Sequence, residues 1–179
     1  HLNPGDATHP ATFGGCADFP SEPCENLPAM GALSNKKDIF LEIDWLAGTA
    51  HVHAPKIGAL TQIYSAFNAQ GINVHFDVGT DPTFQSAGLS YIIPASYAQG
   101  GLITDLNESA LLCPNAKITT CAYSEPYAVT SYKRGFAAIK SGFQFLNISP
   151  HFAHDRKDIF HYVLFGHALA GPFDANGHP

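Results

Sequence analysis

Residues 36–45 read KKDIFLEIDW, and this stretch decides the predicted fold. Apolar side chains recur at every second position, which is the period of a β-strand: Ile39, Leu41, Ile43 and Trp45. The positions between them carry Phe40 and two carboxylates, Glu42 and Asp44. The stretch therefore predicts a strand near residues 38–46, and we expect that strand to lie in the centre of a sheet.

Two other segments also have the character of strands. Residues 156–167 read RKDIFHYVLFGH, which echoes the first stretch and predicts a strand near 158–168 that is apolar on both faces. Residues 71–79 read GINVHFDVG and predict a third strand near 72–78, bounded by glycines. With helical connections between them, these strands predict an α/β fold with a mostly parallel sheet.

A helix is predicted near residues 55–70, because Pro55 suits the first helical position and Gly71 suits the C-cap. Apolar side chains at steps of three and four residues form its predicted core-facing stripe: Ile57, Leu60, Ile63, Tyr64 and Phe67. Strand, helix and strand then make a right-handed βαβ unit. A second helix is predicted near 131–146, and residues 80–130 are expected to form an irregular insertion with one short hairpin.

The composition is that of a folded globular domain. The chain has 179 residues, of which 45% are hydrophobic and 13% are charged. We expect residues 1–35 to form a disulfide-pinned lead-in and residues 36–179 to form a single domain. The formal net charge of −6 argues against nucleic acid or an anionic membrane surface as a partner. No apolar run is long enough to predict a transmembrane span.

The cysteines and the glycosylation sequons predict where the protein is located. The four cysteines form two pairs of equal spacing: Cys16, Cys24, Cys113 and Cys121. Three connectivities exist, and we expect two local disulfides because each pair closes a short Pro-rich loop. A four-cysteine zinc site is the alternative, although neither pair has the two-residue spacing of a zinc knuckle. Disulfides, with glycosylation sequons at Asn107 and Asn147, predict a secreted, extracellular glycoprotein.

Four blocks of the sequence carry a resemblance to a known family. In chain order they are LPAMGALSNKKDIFLEIDW (27–45), HVHAP (51–55), GINVHFDVG (71–79) and RKDIFHYVLFGHAL (156–169). They resemble the N-terminal part of the catalytic domain of secreted zincin or metzincin-like zinc metalloproteases, whose sequences continue into HExxHxxGxxH. The resemblance implies a zincin-like half-domain, a catalytic zinc and a peptide or protein substrate. It does not cover residues 1–26 or 80–130.

The zinc-binding motif of that family is absent from this chain. In HExxH the two histidines bind zinc and the glutamate serves as general base. No His-Glu dipeptide occurs among the 179 residues, so none of the family's catalytic residues can be transferred to a position here. The resemblance thus implies a chain that is incomplete at its C-terminus and not catalytic by itself. Its expected partner is the missing C-terminal part or another copy of the chain.

Several histidines are candidate metal ligands. His51 and His53 flank Val52 and share one side of an extended segment, so that two imidazoles could bind one ion. A polar loop is the alternative at that place. His75 shares a strand face with Asp77, which predicts either a metal ligand or a buried, hydrogen-bonded His–Asp pair.

Carboxylates form a second candidate site. Glu42 and Asp44 share one face of the first strand, and Asp77 and Asp81 lie at the C-terminal end of the neighbouring strand. Open α/β sheets place ligands at that end of the strands. Oxygen ligands of this kind favour a calcium ion. The alternative is that Glu42 and Asp44 pair with lysines or backbone donors at a sheet edge.

Two other classes of function stay open. The amine and imidazole of His1 could hold copper, as in copper-dependent polysaccharide monooxygenases, although those enzymes are β-sandwiches and a βαβ unit argues against them. The other class is a non-catalytic extracellular binding or self-assembly module built on the same half-fold. Its contact surface would be the aromatic loops SYIIPASY (90–97) and SGFQF (141–145).

Overall fold

The fold is organised around β1 (Lys37–Ala47), the strand predicted from the KKDIFLEIDW stretch. On either side of β1 lie β2 (Ile72–Asp77) and β3 (Gly101–Asn107), both parallel to it, in the order β2-β1-β3. A fourth strand, β4 (Phe160–Phe165), also pairs with β1. The predicted α/β class, the mostly parallel sheet and the central place of β1 are confirmed.

The structure is a computed structural model, and it describes residues 25–47, 51–107, 136, 139–142 and 149–166. Some of the predicted features lie outside these residues: His1, Cys16, Cys24, Cys113, Cys121 and Asn147. Among the described residues, no helix has the length and apolar character needed to cross a bilayer.

The register between β1 and β2 is continuous. It runs from Lys37 opposite Ile72 to Glu42 opposite Asp77. Residues that face each other across neighbouring strands project to the same side of the sheet. The register therefore brings the carboxylates of Glu42 and Asp77 together.

The chain divides into two compact units, and β1 contributes residues to both. The described residues of the first unit are 25–42, 56–99 and 155–161. Those of the second unit are 43–47, 51–55, 100–107, 136, 139–142, 149–154 and 162–166. Each unit is therefore assembled from segments that are far apart in the chain.

Helix α1 (Ile57–Asn68) follows β1 in the chain and packs against β2. Its predicted start was wrong by two residues, because Lys56 is extended and forms the N-cap, which leaves Pro55 outside the helix. The helix buries Leu60, which is 2% exposed, whereas Ile63 and Phe67 are 39% and 40% exposed. The predicted core-facing stripe was therefore too wide, because it included Ile63 and Phe67.

One edge of α1 makes the contact with the core. Tyr64 lies one helical turn after Leu60 and stacks on Tyr91, with ring centroids 4.4 Å apart. Tyr91 is itself buried and meets Phe76 of β2 edge to face. Aromatic pairs of this kind add to the free energy gained from burial alone.

The segment 80–130 was predicted to be irregular, and its described part, residues 80–107, contains two short elements. Helix α2 (Pro82–Gln85) begins after Asp81, whose side chain accepts a hydrogen bond from the backbone N–H of Thr83. The second element is strand β3 (Gly101–Asn107), which was not predicted. Its sequence, GLITDLN, has no clear alternation of apolar and polar residues. Among its described side chains only Ile103 is buried, so a periodic pattern could not reveal it.

The second predicted helix, near 131–146, is described in part. Residue 136 and residues 139–141 are helical, and the apolar Ile139 is fully buried. Gly142 follows with a φ of 77°, a conformation that glycine adopts readily after the last turn of a helix. The remaining positions of the prediction lie outside the described residues.

The contrast between Leu60 and Ile63 provides a test of how α1 packs. Leu60→Ala should lower the free energy of unfolding by about 2–4 kcal/mol, because it leaves a cavity under the helix. Ile63→Ala on the same helix should lower it by less than about 1 kcal/mol, since its side chain already contacts water. Urea unfolding followed by circular dichroism measures both variants. Equal losses would show that the helix packs through a different face.

Candidate functional site

A fully buried arginine, Arg156, lies in the first unit at the end of a short 3₁₀ turn before β4. Its guanidinium donates three hydrogen bonds to carboxylates and one to a backbone carbonyl. The acceptors are Oε1 of Glu25 at 2.7 Å, Oε2 of Glu42 at 2.7 Å, Oδ2 of Asp77 at 2.5 Å and the carbonyl oxygen of Tyr97 at 2.5 Å. We call Arg156 and the three carboxylates the arginine cluster.

The arginine cluster joins parts of the chain that are distant in sequence. Glu42 comes from β1, Asp77 from β2 and Arg156 from the turn before β4, and all three are 0% exposed. The ring of Phe160 lies under the guanidinium, with its centroid 4.3 Å from the central carbon. A cation over an aromatic face is stabilised further in a desolvated position.

The charges in this cluster determine the ionisation of Arg156. Burial by itself lowers the pKa of the guanidinium, but the hydrogen bonds that it donates to Glu42, Asp77 and Glu25 outweigh this effect, together with the charge of Asp77. The net effect raises the pKa of Arg156 above its already high usual value. The guanidinium therefore stays charged in the folded protein. A buried positive charge is stable only with opposite charges beside it, and the carboxylates supply them.

Asp77 is held by backbone donors as well as by Arg156. Its Oδ1 accepts from the N–H of Gly79 at 3.0 Å, and its Oδ2 accepts from the N–H of Gln99 at 2.8 Å. Three donors on one carboxylate fix its position and satisfy it without a bound ion.

Asp44 is also satisfied by the protein, in the second unit. Its Oδ1 accepts from the N–H of Gly101 at 2.9 Å, and its Oδ2 accepts from the hydroxyl of Tyr162 at 2.7 Å. Asp81, the remaining carboxylate of the predicted calcium site, caps α2. Within the described part of the chain, no group of three or more His, Cys, Asp or Glu side chains is arranged to hold a metal ion. A calcium site stays a prediction.

His75 pairs with Asp38 rather than with its strand neighbour Asp77. Its Nε2 donates to Oδ1 of Asp38 at 2.8 Å, and the same oxygen accepts from the amide of Asn73 at 3.3 Å. In the register of β1 and β2, Phe40 lies opposite His75 and Asp38 lies opposite Asn73. Asp38 is therefore a diagonal neighbour of His75, and the long imidazole side chain reaches across the diagonal to it. The ring of His75 also stacks on Phe40, with centroids 4.7 Å apart.

A cavity of about 250 Å³ opens beside His75 in the first unit. Its lining carries no charged side chain and consists of Ala29, Met30, Gly31, Gly88, Leu89, Ser90, Ile92 and Pro94. Gly31 has a φ of 107°, and a Cβ atom there would lie 3.0 Å from the ring of His75. The close approach of backbone to ring thus requires glycine at this position.

The structure brings together the imidazoles of His51 and His53, as the sequence predicted. The segment returns along β1, where Val52 bridges Ala47 in antiparallel pairing and the N–H of His53 donates to the carbonyl of Leu46 at 3.2 Å. The two Nε2 atoms lie 3.0 Å apart on the exposed side of this segment.

Sequence reasoning did not identify Arg156 or Glu25 as members of a site. The sequence carried no specific signal for Arg156, because Lys157 lies beside the same strand and is exposed. Arginines are mostly exposed and are fully buried only when paired, and the partners of Arg156 are distant in the chain. The two carboxylates that were noted, Glu42 and Asp77, were assigned to calcium instead of to this arginine.

Comparison of the chain with models of known protein families, with curated proteins and with solved structures finds no match. The resemblance to zincin-type metalloproteases therefore depends on the four sequence blocks.

Removal of the guanidinium tests the role of the arginine cluster. Arg156→Met keeps much of the side-chain volume but leaves buried carboxylates without their cation, so it should lower the free energy of unfolding by about 3–5 kcal/mol. The control is Lys36→Met, which removes one positive charge at an exposed position just before β1 and should change stability by less than about 0.5 kcal/mol. Denaturant unfolding at neutral pH measures both, and similar losses for the two variants would refute the assignment.

Proposed function

We propose that this chain is the N-terminal portion of a secreted zinc-dependent metalloprotease, and that it supplies scaffold rather than chemistry. The observation that supports the proposal is the arginine cluster. Glu42, Asp77 and Arg156 each belong to a different block of the resemblance, and their side chains contact one another. Blocks that occur in the same order as in a family are expected to pack together if they form that family's fold.

A second contact links two of the same blocks. Asp38 of the first block accepts from His75 of the third, and Gly31 of the first block lies against the same imidazole. The imidazole of His75 and the carboxylate of Asp38 are thus polar groups that have each other as partners in the interior. Such groups specify which segments pair with one another, in addition to the apolar packing around them.

The arginine cluster is unsuited to catalysis. A general base or acid must come within hydrogen-bond reach of the substrate, either directly or through one water molecule. Glu42, Asp77 and Arg156 are 0% exposed and bind one another, so a peptide could not reach them. In this proposal the residues that cleave the substrate follow in a continuation of the chain, where the HExxH helix of the family would hold the zinc.

The proposal places the protein outside the cell. Its support is the pair of closely spaced cysteine pairs, which suit two local disulfides, and the sequons at Asn107 and Asn147. The substrate would be a peptide or protein, and the immediate partner of this chain would be the C-terminal part of the same catalytic domain. The competing function is a non-catalytic extracellular module with the same fold.

The sequence that follows Pro179 in the gene decides between these functions. We expect an HExxH motif within roughly the next hundred residues, the distance over which the two halves of such a domain would join. The longer chain should bind one zinc ion, measured by elemental analysis after dialysis, and should hydrolyse a denatured protein substrate. The 179-residue chain should hydrolyse nothing, and Glu→Gln in the new motif should abolish cleavage but retain zinc.

A stop codon directly after Pro179 would overturn the proposal. So would a longer chain that folds but has neither zinc nor peptidase activity. Either result would favour the non-catalytic module.

A further inference from the structure

We propose that His51 and His53 form a binding site for a borderline divalent transition-metal ion such as Zn²⁺, independent of any protease zinc. The first observation is the distance of 3.0 Å between their Nε2 atoms. Two imidazoles bound to one metal ion, at bond lengths near 2.0–2.1 Å and angles between 90° and the tetrahedral value, place their nitrogens about 2.9–3.3 Å apart. The pair already has the separation that a shared ion requires.

The orientation of the two rings agrees with this distance. The ring centroids are 4.6 Å apart, which is well beyond the Nε2 separation, and the ring planes are inclined by 80°. The imidazoles therefore approach each other through their Nε2 atoms, rather than by stacking their faces. An ion between the tips could accept a lone pair from each ring.

The backbone holds the two ligands in this arrangement. His51 and His53 lie two apart on an extended segment, so their side chains project to the same side. The pairing of Val52 with Ala47 and the hydrogen bond from His53 to Leu46 anchor that segment along β1. When one imidazole has bound the ion, the other is therefore held at a high effective concentration.

The chemistry of the donors selects the ion. Neutral imidazole nitrogens favour zinc, nickel and copper over calcium and magnesium, which prefer oxygen. The exposed position leaves room for water to complete the coordination. With two protein ligands the site should bind more weakly than a structural zinc site with four. Its occupancy would therefore follow the concentration of the ion outside the protein.

In the absence of metal the two rings can share one hydrogen bond, in which one Nε2–H donates to the other Nε2. This arrangement also produces a distance of 3.0 Å, so a metal titration is needed to separate the two cases. Zn²⁺ is the suitable probe, because imidazole nitrogen binds it well and the ion has no redox chemistry.

The test uses the 179-residue chain without reductant, with histidine ring resonances followed by NMR during titration with ZnCl₂. The signals of His51 and His53 should shift together up to one equivalent. The affinity, measured by competition with a chromophoric chelator, should fall at least about tenfold in His51→Gln and in His53→Gln alike, because each change leaves a single imidazole without the chelate effect. The control is His161→Gln, a change at an exposed histidine of β4, and it should leave the affinity unchanged.

Two outcomes would overturn the site. One is that neither His51→Gln nor His53→Gln changes the affinity for Zn²⁺, which would mean that other residues bind the ion. The other is the absence of any shift at His51 and His53 at one equivalent, which would leave the pair as a hydrogen bond between neutral rings. Because no step of this test involves peptidase activity, its result is separate from that of the proposed function.

Discussion

The burial of the Arg156 guanidinium is the constraint on which the first unit depends. Taking a charged group out of water costs several kcal/mol even after relaxation, and the cost is recovered only with well-placed partners. Here the partners come from the segment before β1, from β1 and from β2. The arginine can therefore occupy its position only when these parts of the chain have come together in the correct register.

The need for one correct register gives a reason for charged groups inside the sheet. A well-packed apolar cluster of similar volume would often be as stable as a buried ion cluster, or more so. An apolar interior would, however, tolerate other registers of β1 against β2, because Val, Ile and Phe side chains pack against many neighbours. In the observed pairing Glu42 lies opposite Asp77, and both carboxylates reach the guanidinium. A shift of β2 along β1 would separate the two carboxylates, so the cluster favours this register.

The parts of the fold that sequence could predict are those with strong periodicity. β1, β2 and β4 have apolar side chains on buried faces, and their positions were confirmed to within a few residues. β3 escaped prediction because Ile103 is the one buried residue among its described side chains, so its sequence has no apolar alternation. The exposure of Ile63 and Phe67 could not be foreseen either, since an apolar stripe shows which face is able to pack but not how much of it is covered.

The predicted sites also differ in how far the local sequence could reveal them. His51 and His53 were brought together because two residues on one extended segment are neighbours by local geometry alone. The carboxylates were placed correctly on their strands, but their partners were not predicted, because Arg156 is distant in the chain and Gly79, Gln99 and Gly101 act through backbone N–H groups. Partners of this kind become visible only when the strands and loops are assembled.

A double-mutant cycle between Arg156→Met and Asp77→Asn measures how strongly the guanidinium and the carboxylate stabilise each other. If the guanidinium and the carboxylate depend on each other, the loss of stability in the double variant should be smaller than the sum of the single losses by at least about 1.5 kcal/mol. Losses that add to within about 0.5 kcal/mol would mean that the two groups are energetically independent, and would contradict the account.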